Sequence, residues 1–283
     1  MKPFEFENEI DIAWCPGCGN YSIRKALIRA LQELEADPLH TVLVSGIGQA
    51  AKMPQYVNCH FFNGLHGRGL PVAVSVKACN PHLTVIAEGG DGDMYGEGGN
   101  HFIHNIRRNP DITHLVHNNM IYGLTKGQAS PTSQKGFVTN VQVDGVINQP
   151  FNPLAVALSL GATFIARAFS GDIDQLTDII KAAVKHKGYA LIDIFQPCVT
   201  FNKTNNFAWY KENTYSLDSH YDSSDKENAA KKVMETEKYP LGIIYRENGV
   251  KTFVEKINIY QDNKQPIVCR NRDLGKVNQL IND

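Results

Sequence analysis

Five short apolar runs, at 41–45 (TVLVS), 83–87 (LTVIA), 113–117, 162–168 and 190–195, limit what this chain can fold into more than any other feature. They read as near-continuous apolar stretches, the pattern of strands buried on both faces. Helical stretches lie between them. Asn20 is the expected N-cap of a helix through Leu34 with Ile23, Leu27 and Leu31 on one face. Pro71 sits near the first turn of a short apolar helix running to Lys77. Further helices are expected from about Gly98 to Arg107 and from near Asp172. Strands alternating with helices make the class α/β, a mainly parallel sheet with helices on both faces.

After about residue 202 the character changes. Residues 203–240 are polar and charge-rich, with a helix expected over 226–237, and 242–255 reads as a hairpin turning at Asn248-Gly249. The expected division is a sheet domain over 1–202 and an extension over 203–283 that packs on the sheet or on a partner chain.

Charge removes several function classes. With 28 basic and 29 acidic side chains among 283 residues the net charge is −1, so no basic surface for nucleic acid or an anionic membrane is expected. No run of 18 apolar residues occurs, and the opening segment carries Glu5, Glu7, Glu9 and Asp11 instead of a basic start and an apolar stretch. A soluble, cytoplasmic protein is expected. Its six cysteines are too sparse for a disulfide scaffold and read as metal ligands, reactive thiols or core residues.

Two motifs carry chemistry. Gly90-Asp91-Gly92-Asp93 follows one predicted strand, and 25 positions after Asp93 a second strand ends at Asn118-Asn119. Ligands of open α/β sheets bind at the carboxyl ends of the strands. Two such loops facing each other suit a magnesium ion on a diphosphate, since magnesium takes one or two protein carboxylates and completes its shell with phosphate and water. Asp91 supplies the carboxylate, Asn119 an amide oxygen and Ile121 a carbonyl, while Gly90 and Gly92 let backbone approach the phosphates. The second motif is Trp14-Cys15-Pro16-Gly17-Cys18-Gly19. A Cys-x-x-Cys pair can bind zinc, act as a redox dithiol or hold part of an iron–sulfur cluster. A zinc ribbon normally wants a second pair, and none exists here. Cys198 follows the last apolar run and ends at the same side of the sheet.

Further pieces keep the same order: Ser45-Gly46-Ile47-Gly48-Gln49, Leu65-His66-Gly67-Arg68, and Leu124-Thr125-Lys126-Gly127-Gln128-Ala129-Ser130-Pro131-Thr132. Taken together, residues 13–202 resemble the β subunit of the 2-oxoacid:ferredoxin oxidoreductases. The resemblance implies a thiamine diphosphate-binding fold, with magnesium on Asp91, Asn119 and Ile121. Gly46, Ile47, Gly48, Gln49, Ala50, His66, Gly90, Asp91, Gly92, Asp93, Asn119, Ile121, Gly123, Leu124 and Thr125 would border the cofactor. His66, Lys52 and Arg68 are the catalytic candidates, and Leu124 is placed to press on the cofactor. The implied reaction is oxidative decarboxylation of a 2-oxoacid, 2-oxoglutarate or pyruvate-like, with coenzyme A. Electrons would leave through a 4Fe–4S cluster to ferredoxin. An α subunit, sometimes with γ or δ subunits, would supply the glutamate that activates the cofactor.

The chain departs from that pattern at Gln49, where many relatives carry a cluster-ligating cysteine. Cys59, ten positions on, is the replacement nearest in sequence, so the expected cluster ligands are Cys15, Cys18, Cys59 and Cys198. Two rival readings stand beside this one: a non-redox thiamine diphosphate decarboxylase or carboligase subunit, and a zinc-stabilised assembly module without catalysis.

Overall fold

The computed structural model describes residues 2–282. Eight strands form one sheet: β1 (Thr41–Ser45), β2 (His60–Asn63), β3 (Thr84–Gly90), β4 (Ile112–Asn118), β5 (Phe164–Phe169), β6 (Tyr189–Phe195), β7 (Thr214–Ser216) and β8 (Tyr239–Arg246). Their order is β2-β1-β3-β4-β6-β5-β8-β7, and every pairing is parallel except that of β5 with β8. The chain leaves β1 toward β2, then returns past β1 to β3, so the winding reverses between β1 and β3. That is where an α/β sheet opens a crevice for a ligand.

Alternating side chains of each strand serve two cores. Ile86 and Leu115 face α1 (Gly19–Glu33), with Ile23, Leu27 and Leu31 packed on the same side. Val85, Ala87 and Val116 point the other way, toward α2 (Gly69–Cys79) and α3 (Gly99–Arg108), where Leu70, Phe102 and Ile106 meet them. The α4 helix (Pro153–Ser159) joins that second layer, and α5 (Ile173–Lys185), capped by Asp172, joins the first. The mainly parallel sheet with helices on both faces is as expected.

Three local expectations give way to stronger interactions. Asn20 lies inside α1, because Cys18 takes the N-cap position and the Asn20 side chain is drawn inward, 2.8 Å from His117 Nδ1. The helix expected over 226–237 stops earlier, as α6 (Lys226–Val233) under the Asp225 cap. The hairpin over 242–255 does not form. β8 lies between β5 and β7, Asn248-Gly249 only turns the chain, and Thr252 and Glu255 build a reciprocal capping box that starts a short helix, Phe253–Lys256. β2 and α4 were not anticipated. A four-residue strand and a seven-residue helix carry little periodic signal.

Burial holds both histidines of β4, His114 and His117, neutral. His114 is fully buried on β4, its Nδ1 is 2.6 Å from the Tyr189 hydroxyl, and desolvation pushes its pKa down to about 3. Unfolding lets the ring take a proton below about 6.5, so its stabilising effect is complete above that pH and is lost as pH falls toward 3. Replacing His114→Gln is expected to flatten the acid limb of stability by up to about 1.4 kcal/mol per pH unit. Urea midpoints between pH 7 and pH 4.5 measure it, and an unchanged slope refutes it.

Candidate active site

The loops after β1, β3 and β4 emerge side by side, because parallel pairing sets Ser45 beside Glu88 and Gly90 beside His117. They border an open cleft. Ile47, Gly48, Gln49 and Ala50 line it from the first loop, Gly90 to Asp93 from the second, and Asn119, Ile121 and Gly123 to Thr125 from the third; His66 closes one side. A Cβ on Gly48 or Gly123 would meet no protein atom within 4 Å, so bare backbone faces open space at both points. Gly46 lies behind the wall instead, where a Cβ would come within 2.1 Å of Asp93 Oδ2.

Asp91 is only 1% exposed. Its Oδ2 accepts hydrogen bonds from Ser130 Oγ and Thr132 Oγ1, both at 2.5 Å, and the Asn119 backbone N–H donates to the same carboxylate. Burial outweighs these donors and pushes the Asp91 pKa up to about 6. Asn119 Oδ1 accepts from the Ile121 N–H at 3.1 Å and keeps a lone pair for another partner. Asp93 ties the loops together: its Oδ1 accepts the N–H groups of Gly67 at 2.7 Å and Ile47 at 3.1 Å. Burial raises its pKa as well, and its Oδ2 is buried with no partner among the described residues. His66 Nδ1 stands 3.2 Å from both Asp93 Oδ1 and Glu97 Oε2.

Beneath the cleft lies a buried chain of polar groups. Asp193 on β6 accepts from Tyr95 Oη at 3.0 Å, from Asn118 Nδ2 at 3.1 Å and from Arg167 Nε at 3.5 Å. Thr132 Oγ1 is 2.9 Å from Asn118 Oδ1, which brings the chain back to Asp91. The Arg167 guanidinium stacks on Phe195 and on Tyr239 of β8, at 5.0 and 5.3 Å from the ring centres.

A second, smaller cavity shares a wall with the first, since Gln49, Asn119 and Gly123 line both. Cys15, Cys18 and Cys198 line it together with Trp14, Asn20 and Gln196. The Cys18 thiol is pushed up to about 11, first by burial and then by the nearby Cys198 and Cys15 sulfurs. Gln196 Nε2 donates to Cys18 Sγ at 3.4 Å, and the Phe201 N–H to Cys198 Sγ at 3.5 Å. Gly19 lets α1 press against the end of β6, where a Cβ would meet Gln196 Cγ at 2.5 Å.

Residues 40–194 match the family model described as thiamine pyrophosphate enzyme, C-terminal TPP binding domain. Residues 198–262 match the model for the C-terminal part of the pyruvate ferredoxin oxidoreductase beta subunit. The chain is 42% identical to the 2-oxoacid:ferredoxin oxidoreductase 1, subunit beta, of Aeropyrum pernix, over 89% of this chain and 83% of that one. It is 44% identical to the beta subunit of the 2-oxoacid:ferredoxin oxidoreductase of Saccharolobus solfataricus, over 86% and 85%. The chain belongs to the 2-oxoacid:ferredoxin oxidoreductase β subunits. A solved member, the 2-oxoglutarate:ferredoxin oxidoreductase from Magnetococcus marinus with 2-oxoglutarate, coenzyme A and succinyl-CoA bound, superposes with a TM-score of 0.91 at 34% identity, covering 99% of this chain and 96% of that chain.

Not every candidate named from the sequence reaches these cavities in this β subunit. Lys52 is half-buried on the helical turn Ala50–Tyr56, which carries it about 6 Å past Gln49, and it lines neither cavity. Arg68 is exposed beside α2, its charge felt by His101 of α3. Cys59 is the main correction. It precedes β2 and lines a separate pocket with Pro38 and Leu39, which precede β1, at the opposite end of the strands from Cys15, Cys18 and Cys198. Burial pushes its thiol up to about 12, and no other sulfur contributes. Ten residues of sequence correspond here to the length of a strand.

Arg167 and Asp193 were missing from the sequence reading, although they had a readable signal, an opposite-charge pair inside two apolar runs that the register places side by side. Ser130 and Thr132 stood in it only as the end of the run from Leu124, with no role; their bonds to Asp91 are what the structure adds. Replacing Thr132→Ala removes the hydroxyl from Asp91 and is expected to weaken binding of thiamine diphosphate with magnesium by about tenfold. Asp91→Ala should abolish any gain in affinity that added magnesium brings. Calorimetric titration reads both, and unchanged affinity in Asp91→Ala removes the carboxylate from the site.

Proposed function

We propose that this chain binds the diphosphate of thiamine diphosphate through magnesium in the first cleft, holds an iron–sulfur cluster in the second cavity, and works in a complex that converts a 2-oxoacid and coenzyme A to acyl-CoA and carbon dioxide with ferredoxin as electron acceptor. The observation that carries this reading is the meeting of Asp91, Asn119 and Ile121 on one cleft wall, with three thiols behind residues shared by both cavities.

The donor set suits the groups. Asp91 is a buried carboxylate with no cation beside it, and the Asn119 amide oxygen and Ile121 carbonyl supply the hard oxygens magnesium prefers. Thiamine diphosphate, when bound, supplies a carbon nucleophile for the keto carbon and an electron sink for the loss of carbon dioxide. The residues of this chain bind and orient. Gly48, Gly90 and Gly123 present bare backbone to the cleft, and Leu124, 42% exposed on its wall, supplies an apolar surface against which a ring can rest. Asp93 and Glu97 face His66 Nδ1 and so fix the ring, leaving Nε2 to hold or pass a proton near the substrate. Cys15, Cys18 and Cys198 would hold a cluster that stores single electrons next door.

A partner subunit supplies the activating glutamate and the rest of the substrate pocket. We take 2-oxoglutarate as the leading substrate, by analogy with the solved relative. Co-purified with its partner, the chain is expected to reduce a viologen dye in a coenzyme A-dependent reaction, with the largest kcat/KM among four 2-oxoacids for 2-oxoglutarate. The isolated chain should show no turnover. Turnover by the isolated chain overturns the division of labour, and a complex that ignores coenzyme A overturns the reaction.

A further inference from the structure

The sulfur-lined cavity has three thiols and two amides. Cys15, Cys18 and Cys198 share it with Gln49 and Gln196. The side-chain oxygens of both glutamines, Gln49 Oε1 and Gln196 Oε1, are buried with no hydrogen-bond partner among the described residues. An amide oxygen left in that state carries its full desolvation penalty, so two such oxygens on one cavity call for an electron-pair acceptor. Gln196 is already committed through its nitrogen to Cys18 Sγ. Gln49 is anchored by its main chain, since its carbonyl accepts from Trp14 Nε1 at 2.8 Å, and its side chain has no such commitment.

No fourth thiol is within reach. Cys59 lies at the far end of β1, Cys79 ends α2 and is exposed, and Cys269 is exposed in the C-terminal segment. Three thiolates satisfy three irons of a four-iron cube. The fourth iron needs a ligand that this chain can offer only as oxygen, and an amide oxygen holds iron far more weakly than a thiolate does.

We infer that this β subunit binds its iron–sulfur cluster through Cys15, Cys18 and Cys198 alone, and that the fourth iron faces the Gln49 amide oxygen and is exchangeable. The inference rests on the proposed reading of the cavity as a cluster site. It assigns a chemistry to that corner: a one-electron oxidant such as ferricyanide takes one electron from [4Fe–4S]2+, which then divides into [3Fe–4S]+ and a departing Fe2+. A reductant together with Fe2+ reverses the change.

The test uses the complex purified without oxygen, as wild type, Gln49→Cys and Cys59→Ser, with iron and sulfide counted and EPR spectra taken before and after one equivalent of ferricyanide. Wild type and Cys59→Ser should lose about one iron in four and gain the signal of an oxidised three-iron cluster, whereas Gln49→Cys should keep its iron and stay silent. If Gln49→Cys does not fold, wild type refilled with 57Fe2+ after oxidation decides. The Mössbauer label should sit at one site with the larger isomer shift of an oxygen-ligated iron. A wild-type cluster that keeps all its iron under the oxidant, a label spread over every site, or loss of the cluster in Cys59→Ser overturns the inference. Protein that holds neither iron nor sulfide overturns the parent reading as well.

Discussion

A carboxylate shut away from water at the end of a parallel strand is the constraint around which this site is built. Asp91 has two hydroxyls and a backbone N–H around it, and burial still outweighs them. The effective penalty of burying an unpaired ion is several kcal/mol, so the carboxylate is poised for a cation and the protein holds it there by other means. Those means run under the cleft from Arg167 on β5 through Asp193 on β6 and Asn118 on β4 to Thr132. Tyr239, which belongs to the C-terminal region, stacks on Arg167 at the far end. The last part of the chain thereby supports a group it never touches.

The two cavities work from one sheet edge because β1, β4 and β6 all end there. Gln49 continues the β1 loop, Asn119 continues β4, and Gln196 and Cys198 continue β6. No loop has to reach far. Trp14 helps to pin the first residues of the chain across this edge: its ring packs edge-on against Tyr21 and Tyr56 while its indole N–H holds Gln49. The Cys-x-x-Cys turn is thus located by aromatic packing as much as by its own backbone.

Most of the fold was legible because buried parallel strands announce themselves as apolar runs, and the strand ends mark the loops that matter. Asp91, Asn119 and Ile121, which line one cleft, were named that way. Distance was not legible. Cys59 looked close to Gln49 in sequence, but the intervening turn and the start of β2 carry it to the other end of β1. The supposed hairpin failed for a related reason: Asn248-Gly249 is a genuine turn signal, yet Thr252-Phe253-Val254-Glu255 is a helix-starting signal in the same stretch, and the local pair of capping bonds prevailed. Arg167 and Asp193 could have been paired from sequence alone had the two apolar runs been aligned as neighbours.

The sheet is well covered except at its first edge. β2 is its outermost strand, every residue of it is exposed, and Phe61 and Phe62 each leave half their surface in water. Unpaired backbone beside exposed aromatic rings is a template on which further strands can add. Left uncovered, that strand would make the chain prone to associate with itself edge to edge.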